Sequence, residues 1–342
     1  MQTLYIYNAG EVQQLMRHNR NMEEVLNDTY VHIPVFWREV LQYVEEGPLG
    51  AAGTFVDCTL GEGGHSELIL KHYDKMTVRA FERDAEILDV AKKRLAPFGD
   101  RALFVNDNFS NAASWLENKG DAINYILYDF GISSFHFDVS GRGFSFQDDE
   151  PLDMRLDHSG ESAADIVNTW REEDLGRIFR EYGEERYWRR VADKIVYRRG
   201  EKKITGTQEL ADIVKAAIPH KPGAGPNIHP ATRVFQALRI EVNDELGAID
   251  KTLRETYKLL EPGGRIMAIS FHSLEDRIVK NRFRRLSKGC TCDLEAKHCQ
   301  CSDDPFIKLV TRKPLVPLDD ETGVNRRSRS AKLRVVEKLG ER

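Results

Sequence analysis

The sequence contains no run of about 18 consecutive apolar residues, the least a membrane-spanning helix needs, so no membrane partner is expected. Cysteine is scarce: five in 342 residues. That small, odd number excludes a disulfide scaffold and fits a reducing compartment. The opening residues, MQTLYIYNAGEVQQLMRHNR, lack the basic-then-apolar layout of a signal peptide, and a cytoplasmic location is expected. An excess of positive charge is also missing. The net charge of −5 argues mildly against a polyanion binder.

The chain has enough material for a sizeable core, with 41% hydrophobic and 31% charged residues. Its length fits one large domain plus an insertion or second domain. Charge is unevenly placed. RYWRRVADKIVYRRGEKK (186–203), RIVKNRFRRLSK (277–288) and NRRSRSAKLR (325–334) are basic, whereas QDDEPLDMRLD (147–157) is acidic. Any one basic run reads as a solvated helix face, but phosphate affinity depends on local patches, and three such runs together keep a nucleic-acid partner in view.

Apolar runs alternate with helical periods. TFVDCTL (54–60), TVRAFER (77–83), ALFVND (102–107), INYILYDFG (123–131) and RIMAISF (265–271) read as strands, with helical patterns such as HSELILKHY and AEILDVAKKRL between the first four. This is βαβ alternation, and it predicts an α/β fold with a parallel sheet covered by helices on both faces. The interval between the fourth and fifth strands is far longer than a crossover requires. Its helical spacing, without strand alternation, predicts an inserted helical domain over 136–228, ending at a linker near GAGPNIHP. The remaining chain divides into an N-terminal extension (1–31), read as an appended helix, and a discontinuous sheet domain (32–135 and 229–342). FIKLVTRKPLV and AKLRVVEKL are late strands that would close the sheet as an antiparallel hairpin.

VDCTLGEGGHS (56–66) marks the chemistry. A glycine turn after a first parallel strand lets backbone approach a ligand, and the following helix points its N–H groups at it. The dinucleotide fingerprint fits incompletely, because its third glycine falls on Ser66. The acid-x-small-x-G-x-G turn of S-adenosylmethionine enzymes places Asp57, Thr59, Gly61 and Gly63 in frame. Glu82 ends the second strand, where an acid binds ribose hydroxyls in either class. Phe109 follows the third strand, placed to stack on adenine or to serve as a core aromatic. Asp129 follows the buried run INYILY, where an unpaired acid would be costly without a function. Cys58 reads as a small apolar strand residue.

In order along the chain, DCTLGEGGHS, DFGISS, RGFSF, PLDMRLD, YGEER, HPATRVFQALRIEVNDEL, EPGGRIMAISFHSLEDRIVK and RSAKLRV resemble the bacterial small-subunit rRNA methyltransferase H family, also called MraW, from about His32 to the C-terminus. The resemblance implies a Rossmann-like class I S-adenosylmethionine-dependent methyltransferase sheet. It further implies methyl transfer to the exocyclic N4 amine of a cytidine, number 1402 in the usual numbering, in the decoding centre of 16S rRNA within the small ribosomal subunit. Matching positions imply cofactor contacts at Gly63, Gly64, His65, Glu82, Phe109 and Asp129. A last contact, usually glutamine, falls on His136, which can donate a hydrogen bond with a charge that depends on pH. Asp129 is the candidate catalytic acceptor for the amine proton. The diprolyl pattern of many amine methylases is absent, so a purely cofactor-holding role for Asp129 stays open.

Other motifs carry less. In HPATRVFQALRIEVNDEL, Val234, Phe235, Leu238, Val242 and Leu246 form an apolar face for the core, and Thr232, Gln236, Arg239 and Asn243 form a second that could line the cleft. Arg233 and Arg239 read equally as surface cations or phosphate contacts. Ser273 and Asp276 read as a helix capping pair, His272 lies at the fifth strand tip, and Asp153 with Arg155 reads as a loop ion pair. CTCDLEAKHCQC brings Cys290, Cys292, Cys299 and Cys301 into two C-x-C pairs beside His298, which fits either a tetrahedral zinc or a thiol loop. A methylase acting on another nucleic acid, a nicotinamide oxidoreductase and a non-catalytic RNA-binding assembly factor are the competing readings. The sequence leaves a homo-oligomer open.

Overall fold

A computed structural model of the chain describes residues 34–219, 229–296, 298, 301 and 304–340. The N-terminal extension and most of the expected linker around GAGPNIHP lie outside the described residues. Among the described residues, seven strands form one sheet: β1 Gly53–Asp57, β2 Met76–Glu82, β3 Ala102–Asn106, β4 Ile123–Asp129, β5 Leu260–Ser270, β6 Ile307–Leu309 and β7 Lys332–Lys338. Their order is β3-β2-β1-β4-β5-β7-β6, with parallel pairing from β3 to β5 and antiparallel pairing of β7 with both β5 and β6. The late strands thus pair as expected, but β7 enters between β5 and β6.

Strand ends differ from the sequence reading for local reasons. β1 stops at Asp57, because the Asp57 carboxylate accepts the Thr59 amide at 3.2 Å and starts a turn. Cys58 therefore sits just past the strand, buried on the sheet face. β5 begins earlier than expected, at Leu260, which pairs with Ile123.

Helices cover both faces. α1 Trp37–Glu45, α2 Gly64–His72 and α3 Ala85–Leu95 pack on one face around Phe55, Val78, Leu127, Met267 and Leu333. α4 Ala112–Lys119, α11 Glu245–Glu255 and α12 Ser273–Leu286 cover the other, around Val56, Phe81, Ile126, Tyr128 and Ile266. The Tyr128 hydroxyl lies 2.8 Å from both Thr252 Oγ1 and Thr256 Oγ1, which satisfies a buried phenol between β4 and the end of α11.

After the short α5 Ser134–Asp138, the chain builds a separate helical core from α6 Ala163–Thr169, α7 Glu172–Glu181, α8 Trp188–Glu201 and α9 Thr207–Ala217. α10 Ala231–Asn243 joins this core through Val234, Ala237 and Leu238. Packing therefore changes from the helical core to the sheet at Asp244, whose left-handed φ of 48° breaks α10 from α11, rather than at the expected boundary before residue 229. Among the described residues, no helix is long and apolar enough to cross a membrane.

Arg282 of α12 has no exposed surface and forms a fork on Asp250 of α11, at 2.6–3.0 Å. Removing one member of a buried pair leaves the other charge unsatisfied. Arg282→Ala is expected to lower unfolding stability by about 3 kcal/mol in urea denaturation, and Arg282→Lys to recover only part, since an ammonium cannot form the fork.

Candidate active site

Two carboxylates, one buried and one half-buried at the cavity wall, shape the glycine turn. Asp57 accepts the Thr59 amide with one oxygen and the Ser66 hydroxyl at 2.7 Å with the other, which ties the end of β1 to the first turn of α2. Burial pushes its carboxyl up, and these two donors draw it back in part. Glu82, at the tip of β2, accepts the Gly61 amide at 2.9 Å and the Asp84 amide at 2.8 Å. Its carboxyl is pushed up to about 7 by burial, against those same bonds. Thr59 Oγ1 accepts the Asp129 amide at 2.6 Å, which joins the turn to β4.

The turn requires glycine at specific points. Gly61 and Gly63 have φ of 52° and 86°, the left-handed region costly to residues with a side chain. A Cβ on Gly64 would lie 2.7 Å from the Pro34 ring.

A cavity of about 210 Å³ opens at the carboxyl ends of β1 to β4, where ligands of open α/β sheets sit. Gly64, His65, Glu82, Phe109, Asp129 and His136 line it. Gly63 does not. It is the N-cap of α2, one residue before the cavity-lining Gly64, and a Cβ on it would meet Leu95 and Ala91 of α3. Phe109 stands against Tyr128 and Phe130, with ring centroids 6.1 and 5.8 Å away, and keeps part of its surface open to the cavity.

His65 and Asp129 face one another, with Nε2 to Oδ2 at 3.7 Å. Among the described residues, both His65 ring nitrogens and Asp129 Oδ1 are buried without a hydrogen-bond partner. Polar atoms so placed in a cavity wall are donors and acceptors for a ligand.

His136, on α5, is 3% exposed, and its Nε2 lies 3.0 Å from Asp84, which also receives Arg142. Burial lowers the His136 pKa in spite of the Asp84 carboxylate. Burial also works against the Asp84 charge, but the bonds from His136 and Arg142 prevail and hold its carboxyl at about 2. The neutral ring therefore commits Nε2–H to Asp84 and leaves Nδ1, buried and unpartnered, as an acceptor.

The sequence reading missed Asp84 and Arg142. Asp84 precedes a helix and doubles as its N-cap, accepting the Glu86 amide, and Arg142 lies in RGFSF, a segment without periodicity. Asn243 does line the cavity, and it also accepts the Leu156 amide at 3.1 Å and donates to the Met154 carbonyl at 2.8 Å. Gln236 instead donates to the Tyr182 carbonyl, and Arg239 forks onto Glu245 at 2.8 and 2.9 Å. Arg233 is half exposed and donates to the Glu184 carbonyl. Asp153 and Arg155 form a loop ion pair at 2.7 Å.

The cap of α12 differs from expectation. His272 and Glu275 form the capping box, with Glu275 accepting the Phe271 and His272 amides. Ser273 instead donates to Glu184, and Asp276 binds Arg334 and Lys332. The box lies one residue earlier because β5 ends at Ser270 and the helix starts at Ser273.

A parallel sheet in this order, with an antiparallel β7, a glycine turn after β1 and an acid at the β2 tip, defines a Rossmann-like class I methyltransferase fold. The family model and the curated relatives agree. The MraW methylase family model matches residues 29–339. The ribosomal RNA small subunit methyltransferase H of Carboxydothermus hydrogenoformans is 49% identical over 312 residues, covering 91% of this chain and 98% of that one. That of Geotalea uraniireducens is 48% identical over 313 residues, covering 90% and 98%. A solved rRNA methylase from Streptococcus thermophilus superposes with a TM-score of 0.36 at 13% identity, over 89% of this chain and 93% of that one. The chain belongs to the MraW methylase family.

Ser66→Ala would strip a donor from buried Asp57, an expected loss of roughly 1–3 kcal/mol. The lost bond favoured the ionised carboxylate, so the loss is expected to grow as pH rises through the Asp57 pKa and to shrink below it. Chemical denaturation of both proteins at pH 5 and pH 8 checks this.

Proposed function

We propose that this chain transfers the methyl group of S-adenosylmethionine to the exocyclic N4 amine of a cytidine in the 16S rRNA of the small ribosomal subunit. Family membership and relatives named as small-subunit rRNA methyltransferases support the reaction class and the RNA substrate. The observation that carries the reading is the set of unpartnered buried polar atoms on His65, Asp129 and His136 in one cavity wall beside Glu82 and Phe109. This donor and acceptor set fits an adenosine carrying an amino-acid chain.

In this reading Glu82 accepts the ribose hydroxyls, Phe109 packs on the adenine, and Gly64 and His65 bring the first turn of α2 against the amino-acid end. The cofactor, when bound, supplies an electrophilic methyl on a sulfonium. A cytosine amine is a weak nucleophile, because its lone pair is delocalised into the ring. The Asp129 carboxylate, held by Thr59 through its own amide and left with an unpartnered oxygen, accepts from the amine and favours its developing positive form. The base must be splayed out to reach this depth, which suits an unpaired nucleotide in folded RNA. The exposed cations of α8 and α12 (Arg189, Arg190, Arg284) suit phosphate contacts.

Incubation with radiolabelled S-adenosylmethionine and unmethylated small subunits, followed by mass-spectrometric mapping, is expected to place the label on one cytidine N4. Label on another base or on protein overturns the assignment. Asp129→Asn is expected to lower kcat about 100- to 1,000-fold with little change in cofactor Kd; an equal loss in Kd would make Asp129 a cofactor-holding residue.

Glu82 gives a pH signature. Ribose hydroxyls bind its ionised form, so the proton it carries below about pH 7 must leave on binding. Cofactor affinity is expected to fall about tenfold between pH 8 and pH 6 by titration calorimetry, and Glu82→Gln to flatten that dependence.

A further inference from the structure

We propose that Cys290, Cys292 and Cys301 hold a structural zinc ion in the loop between α12 and β6. Their three Sγ atoms all lie within 4.8 Å of one another, and Cys292 Sγ is 3.5 Å from Cys301 Sγ. Zn–S bonds of about 2.3 Å in a tetrahedron put neighbouring sulfurs about 3.8 Å apart, so the triangle needs only small adjustments of its edges to become one face of such a site. A single disulfide would use two of these sulfurs and leave the third in place beside it. A water molecule or a further side chain completes the tetrahedron.

The surrounding chain is built to hold this loop and its charge. Arg282 donates to the Cys292 carbonyl at 2.7 Å, and Arg285 donates to the carbonyls of Cys292, Asp293 and Leu294. Two guanidinium groups thus hold the backbone next to Cys292, and that of Arg285 adds positive charge beside a zinc bound by three thiolates. On the far side, Phe306 packs against Tyr257 with centroids 5.4 Å apart, and the Phe306 amide returns to the Leu286 carbonyl. The loop therefore leaves and rejoins the body at fixed points. Between them it has no strand or helix of its own among the described residues, which is where a metal clip contributes most to order. Each thiol releases its proton as its sulfur binds the metal, so loading is accompanied by proton release and weakens as pH falls.

The full-length chain, purified under reducing conditions without chelator, is expected to carry about one zinc per molecule by elemental analysis. Titration with a mercurial thiol reagent should release that zinc in step with thiol modification. Cobalt loading of the stripped protein should give the intense near-ultraviolet band of thiolate-to-cobalt charge transfer. Cys290→Ser and Cys301→Ser should each reduce bound zinc to background and lower Tm, whereas Cys58→Ala, distant in the sheet, should keep the metal. A zinc-free protein that also shows no cobalt band, or zinc content unchanged in Cys301→Ser, overturns the site. So does recovery of Cys292 and Cys301 as a disulfide under the same reducing conditions.

Discussion

Two acids, the buried Asp57 and the half-buried Glu82 at the cavity wall, set the constraint on which the carboxyl edge of the sheet depends. A carboxylate drawn out of water without donors is costly. The turn after β1 supplies those donors, from the amides of Thr59 and Gly61 and the hydroxyl of Ser66. Satisfying them forces the left-handed glycines, and the glycines in turn fix where α2 begins and where His65 points. The shape of the cavity floor is thus a consequence of hydrogen-bond accounting at the tips of two neighbouring strands.

Polar bonds join the helical core to the sheet. Arg83, just past β2, binds Asp157 and the Asn243 carbonyl, and Asn243 bridges the Met154 and Leu156 backbone. Burial opposes the Asp157 charge, but the bonds from Arg83 and Ser159 hold its carboxyl at about 2. Directional bonds of this kind set an orientation, where greasy contact would permit sliding. Leu156 and Asn243 of the helical part and Glu245 of α11 line the cavity.

Much of this was readable in advance, and the exceptions share a cause. Strands β1 to β5 announced themselves by buried apolar runs, and Glu82 and Asp129 by acids placed straight after such runs. Signals failed where one residue serves two ends. Asp84 caps a helix and also anchors His136 and Arg142, and only the first role leaves a local pattern. The packing switch at Asp244 was hidden for a related reason. α10 and α11 have the same amphipathic period, and only the fold decides that one serves the helical core and the other the sheet.

The place of β7 bears on how the molecule is made. It lies inside the sheet, hydrogen-bonded on both edges, although residues 332–338 follow the end of β5 only after a long intervening stretch that includes α12 and β6. A ribosome adding about 5–20 residues per second would expose β5 with one edge bare for several seconds before its neighbour emerges. During that interval the open edge is a template for other chains. The order of synthesis thus sets a window of vulnerability in the newborn protein, closed only when β7 slots in beside β5.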